Sequence, residues 1–220
     1  MGKHWVRQQV RNKDVVQESV DQSVRWVDAN RNAAAAIAGG IAVGAILLIA
    51  LISHIRGAQT QSWDRLSVAQ GMAYAGHPDE ALQQIQQLVG EKPASDAAAF
   101  GQLFAGDVAY TRGQYKEALE HYNAVLERGK PAGLQPIALS DTAITQEAAG
   151  QFQPAQLAAQ HFLEQYPDHF LAPQVHAILA RTLSALGQAE QAKTTYQKIA
   201  LQYEGTSWAA WASGHIQPAK

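Results

Sequence analysis

Four glycines, Gly76, Gly113, Gly150 and Gly187, stand thirty-seven residues apart, and five residues after each comes an alanine: Ala81, Ala118, Ala155 and Ala192. This fixed period constrains the fold more than any other feature of the 220-residue chain. Tandem units of roughly 20–50 residues are supersecondary modules, each hiding its apolar face only against its neighbours. An open stack follows, in place of a single layered core.

The second unit carries the local chemistry most clearly. Leu103, Val108, Leu119, Tyr122 and Leu126 keep helical spacing on both sides of Gly113, which predicts two helices joined by a turn. Gly113 supplies the positive φ of a tight helix exit. Small Gly106 and Ala118 let the two helices approach, with Tyr115 and Tyr122 filling the space between layers. A Leu in place of Ala118 should overpack that contact by roughly 1–3 kcal/mol.

These residues resemble the tetratricopeptide repeat over most of residues 62–205. Its order of small residue, Gly, aromatic, Ala, aromatic and Pro is met by Ala143, Gly150, Phe152, Ala155, Phe162 and Pro167. The first unit departs with Pro78 at the aromatic place, and the fourth with Ala189. A period longer than the usual roughly thirty-four residues puts the excess into loops such as Arg128 to Gly133. The resemblance implies an all-α solenoid of about four helical hairpins with a capping helix from Ser207 to about His215. There Trp208 and Trp211 would cover the open end of the stack.

Ala33 to Ile52 contains only Ala, Gly, Val, Ile and Leu. As a helix such a run spans about 30 Å, the thickness of a bilayer's hydrocarbon, and it reads as one transmembrane helix, a signal anchor that stays in place. Lys3, Arg7, Arg11, Lys13, Arg25 and Arg31 precede it, and Arg56 and Arg65 follow at comparable distance. The positive-inside rule then keeps the N-terminus in the cytoplasm and exports the remainder. The resulting layout is a cytoplasmic juxtamembrane segment (1–32), the transmembrane helix (33–55), a short connection (56–61) and the repeat domain (62–220). In the first segment Val16, Val20, Val24 and Val27 fall near helical spacing, so a helix could start near Asp14. Trp26 and Trp63 suit either headgroup level or protein packing. Within the span Ala36, Gly40 and Gly44 form a small-residue ridge suited to helix–helix contact, with a second copy or another membrane protein.

Charge and motif narrow the function. Residues 57–220 hold ten basic against fifteen acidic groups, so the exported domain has no attraction for nucleic acid. With no Cys there is neither a disulfide nor a thiolate nucleophile. His4, His54, His121, His161, His169, His176 and His215 are scattered without an H-x-x-x-H pair, and no phosphate loop or dinucleotide fingerprint occurs. Neither catalytic nor metal residues are nominated, no cofactor is implied, and the chain does not read as an enzyme. His77, Pro78 and Asp79 spell the tripeptide of J-domain co-chaperones, but without the basic helix that precedes it there; Pro78 and Asp79 instead suit a helix start.

A solenoid of hairpins presents the first helix of each on its concave side. The repeat register places Trp63, Leu66, Gln70, Phe100, Leu103, Ile144 and Ser184 near that surface, with Asp107, Tyr110, Glu147 and Arg181 as its partner-binding candidates. The same four residues also suit a solvated face with an internal Glu147–Arg181 pair, and spacing alone leaves both readings open. The paired Lys and Asn by which cytosolic chaperone-binding repeats hold acidic tails are replaced by Leu66 and Gln70. In its order of parts the chain resembles the YfgM family, single-span ancillary subunits of the bacterial Sec translocon. That resemblance implies an inner-membrane protein with periplasmic repeats that contact translocon subunits and periplasmic chaperones. Stretches such as Phe162 to Pro167 are also similar to repeat proteins of outer-membrane biogenesis and envelope coordination, where the role would be a scaffold.

Overall fold

The computed structural model describes residue 20 and residues 22–216. Lys3, Arg7, Arg11, Lys13 and the expected helix start near Asp14 lie outside the described residues. The chain divides into two compact units, residues 1–58 and 59–220.

The helix α1 (Arg31–Tyr74) carries the apolar run. It is long and apolar enough to cross a membrane, with a mean hydropathy of 2.7 over its most apolar window. In the first unit its large side chains are bare: Ile41 is 69% exposed and Ile49 66%. Ala36, Gly40 and Gly44 share one face by their spacing, and the space over Gly40 and Gly44 is open. The connection expected at 56–61 is itself helical, because α1 runs on to Tyr74.

The second unit is an all-α stack of hairpins. Residues 59–74 pair with α2 (Pro78–Glu91), α3 (Asp96–Thr111) with α4 (Tyr115–Arg128), α5 (Gln135–Ala148) with α6 (Phe152–Gln165), and α7 (Ala172–Ala185) with α8 (Ala189–Gln202). A short 3-10 turn (Ala132–Leu134) precedes α5, and α9 (Ser207–Ile216) follows the fourth hairpin. The recurring glycines explain the turns. Gly76, Gly113, Gly150 and Gly187 have φ of 91°, 72°, 72° and 74°. Each turn closes with the same bonds; at the second, Gly113 N–H donates to Tyr110 O at 2.9 Å and Gln114 N–H to Ala109 O at 2.9 Å. This is the Schellman closure, which a Cβ at the left-handed position would strain.

The recurring alanines are the tightest points of the core: Ala81, Ala118 and Ala155 are 0% exposed and Ala192 3%. Bulky side chains pack with them, Ile85 with Ala81, Tyr122 with Ala118 and Ile199 with Ala192, and Phe162, Val175 and Ile178 form a further cluster, all three 0% exposed. Each such side chain contributes about 1.5–3 kcal/mol of transfer free energy. Tyr122 fills the space between helices at 2% exposure, whereas Tyr115 is half-buried against Tyr110. At the open end Trp208 and Trp211 of α9 pack on the cluster of Leu183, Tyr196 and Ile199.

Polar clasps join the first two hairpins. Arg128 donates to the carbonyls of Pro93, Ala94 and Ser95 at 2.7–2.9 Å, and Arg112 pairs with Asp79 at 2.8 Å. Asp79 thus also serves the start of α2, where Pro78 occupies the first helical turn. Ser95 caps α3 by accepting from Ala98 N–H at 3.2 Å.

Candidate protein-interaction groove

Helix α5 touches α7 and α7 touches α9, whereas among the described residues no two second helices of successive hairpins are in comparable contact. The C-terminal part of the stack therefore closes on the side of the first helices, the side that a solenoid of hairpins turns inward, and residues 59–74, α3, α5 and α7 are the first helices that would line a groove there.

At its N-terminal end Trp63 and Phe100 pack ring to ring at 5.2 Å, yet remain 41% and 36% exposed. Leu66 does not join them. It is 3% exposed in a cluster with Leu88, Ala97 and Ala98, because its place in the helix faces the hairpin partner.

Seven residues beyond Phe100, Asp107 meets the Tyr122 hydroxyl, which donates to Asp Oδ1 at 2.9 Å. This reach depends on Gly106, where a Cβ would stand 2.4 Å from the Tyr122 ring. Asp141, on α5, is within electrostatic reach of Asp107. Burial, and then the charge of Asp107, push its carboxyl up to about 7. Burial also raises Asp107, although the Tyr122 hydrogen bond works against it. Burial and the two carboxylates raise Tyr122 in turn, so its hydroxyl stays a donor.

The C-terminal end is built differently. Arg181 Nε and a terminal guanidinium nitrogen donate to the two Glu147 oxygens at 2.7 and 2.6 Å, a bidentate fork. The Arg181 guanidinium carbon also lies 5.9 Å from the Trp211 ring centre. The Glu147 hydrogen bond holds Arg181 above its usual value. Beyond it Tyr196 and His215 stack at 4.9 Å beside Ser184 and Lys193, lining a shallow cleft.

The four candidates from the sequence fall on the first helices of three successive hairpins, α3, α5 and α7. Asp107 and Tyr110 are one turn apart on α3, Glu147 and Arg181 are bonded, and Tyr110 is within electrostatic reach of both Tyr122 and Arg181. Asp141 and Trp211 were not among them. Asp141 had a readable signal: thirty-seven residues away on either side stand Phe104 and Ile178, so a carboxylate occupies a core-type place of the repeat. His121 is half-buried beside Gln102 at 2.6 Å, and burial lowers its proton affinity. Among the described residues no three His, Asp or Glu side chains converge on a metal position.

The architecture defines the class first: a tetratricopeptide-like solenoid of helical hairpins. The comparisons agree with that class. A tetratricopeptide repeat family model matches residues 178–206, the end of the fourth hairpin. The nearly identical TPR-like repeats of a kinesin-light-chain-type protein from Podospora anserina superpose with a TM-score of 0.59 at 16% identity, covering 72% of this chain and 84% of that one. A tetratricopeptide repeat protein from Parabacteroides merdae gives 0.61 at 18% identity, covering 71% of this chain and 59% of that one. No curated protein sequence matches the chain significantly. At these identities the likeness is one of fold.

Proposed function

We propose that the chain is a membrane-anchored protein-interaction module of the bacterial inner membrane, with its N-terminus cytoplasmic and its repeats in the periplasm. There it serves as an ancillary or chaperone-linked subunit of the protein translocon. The observation that carries the reading is the joining of two parts: an exposed apolar helix fit to span a bilayer and a solenoid whose inner face displays aromatic and charged side chains. The excess of Lys and Arg before the span supports the orientation. The resemblance in order of parts supports the translocon, and the repeats support a binding role without catalysis. A second reading, a scaffolding subunit of another envelope complex, draws on the open small-residue face of Ala36, Gly40 and Gly44, which suits a helix–helix contact within the bilayer.

Photo-crosslinking in native membranes tests both readings, with the probe at Tyr110 or at Gly44 and adducts identified by mass spectrometry. Translocon subunits or periplasmic chaperones captured at Tyr110 support the first reading. Capture of other envelope proteins, or of the chain itself through Gly44, transfers the role to the second.

A further inference from the structure

We infer that the segment this groove takes is basic: a Lys or Arg side chain enters between Asp107 and Asp141, beside an apolar side chain laid on Trp63 and Phe100. The inference rests on the groove reading above and adds the chemistry of the occupant.

Charge complementarity supplies the first argument. Among the described residues the ion pairs of the repeat domain engage Arg65, Arg112, Arg128 and Arg181 with other carboxylates and leave Asp107 and Asp141 without a cation. Their one polar partner is the Tyr122 hydroxyl, which fixes Asp107 and leaves its other oxygen free to accept. Next to Asp141 in sequence, and in helical register with Ile144 and Glu147, Ser140 is buried and its hydroxyl has no hydrogen-bond partner among the described residues. An ammonium has three N–H donors, and the carboxylate oxygens that Tyr122 leaves free are acceptors for all three. An acidic segment would meet repulsion from the same pair.

Geometry adds a register. The aromatic pair bridges residues 59–74 and α3, and two helical turns further along α3 Asp107 stands within electrostatic reach of Asp141 on α5. Roughly 10 Å along the helix and roughly 9 Å across to the next give a diagonal of roughly 14 Å, about four residues of extended chain. The occupant thus carries its cation about four residues from its apolar anchor.

The test pans the full-length protein in lipid nanodiscs against a random decapeptide display library. An Asp107→Asn/Asp141→Asn variant and a Phe100→Ala/Tyr110→Ala variant run in parallel, each checked for folding by circular dichroism. The wild type should enrich peptides with Lys or Arg three to five residues from an apolar side chain, and the Asn variant should lose the basic preference by about tenfold or more while keeping the apolar one. Enrichment without basic residues, or a basic preference that survives in the Asn variant, overturns the inference and leaves the groove reading intact. Equal enrichment by the Phe100→Ala/Tyr110→Ala variant, or none above empty nanodiscs, overturns the groove reading and the inference together.

Discussion

Two halves of one groove solve opposite problems. Between α3 and α5, burial raises the proton affinity of Asp107 and of Asp141, the charge of Asp107 raises that of Asp141 further, and among the described residues neither carboxylate has a cation in an ion pair. Between α5 and α7, Glu147 is only 17% exposed but forked by Arg181, which is itself laid against Trp211. A charge satisfied inside the fold adds to rigidity, whereas an unsatisfied one costs stability until something outside answers it. The C-terminal half therefore locks repeats three and four to the cap, and the N-terminal half keeps the carboxylates that the proposed basic segment would meet.

The largest expected effect tests how the open half is built. Gly106→Ala would place a Cβ 2.4 Å from a ring that is 2% exposed and hemmed in by Ala109 and Ala118. The ring has no free side to move toward, so stability should fall by about 3 kcal/mol in urea unfolding. A loss below about 0.5 kcal/mol would mean that Tyr122 does not press on α3, and Asp107 would lose its fixed orientation.

Next comes a contrast of sign. Asp141→Asn should stabilise the protein at pH 8 by about 1–3 kcal/mol, since the ionised carboxylate is disfavoured in the fold. Glu147→Gln should destabilise it by about 1–2 kcal/mol, because the fork is lost and Arg181 is left beside Trp211 without its partner. Two changes of the same sign would erase the distinction between the halves.

The pH profile sharpens the same point. The Asp141 carboxyl titrates near 7 in the fold and near the ordinary aspartate value of about 3.9 when unfolded. A carboxyl raised in this way holds its proton more tightly when folded. Its contribution is fully present below the unfolded value and is lost as pH rises from about 4 through about 7. Thermal melts from pH 5 to pH 8 should show that decline in the wild type and a shallower one in Asp141→Asn. Equal slopes would place Asp141 in water.

How much of this was readable before the structure depended on what each residue's role requires. Gly76, Gly113, Gly150 and Gly187 were legible because one backbone conformation, positive φ, demands one residue type. The alanines after them were legible because only a small side chain fits a fully buried crossing. Leu66 was misplaced because repeat register alone does not separate the groove stripe from the inner stripe one helical step away. Asp141 escaped for a related reason: its place reads as core, and only the three-dimensional approach of Asp107 makes it half of a site. The continuity of α1 through residues 56–61 was also hidden, since polar residues such as Gln59, Thr60 and Gln61 suit a loop and an exposed helix equally.

The smallest effect concerns the lock itself. Arg181→Lys keeps the charge opposite Glu147 but gives up the two-pronged fork and the guanidinium's contact with the Trp211 ring. Because Arg181 is 44% exposed, water replaces part of what is lost, and the cost should be about 0.5–1 kcal/mol. The informative reading is where that cost falls. If the half is a lock, hydrogen exchange should quicken in α7 and α9 and stay unchanged in α3, and the peptides enriched by the wild type should be enriched equally. A variant that folds as well as wild type but loses peptide capture would instead make Arg181 a contact. The groove would then be one continuous binding surface, with no division into an open half and a closed one.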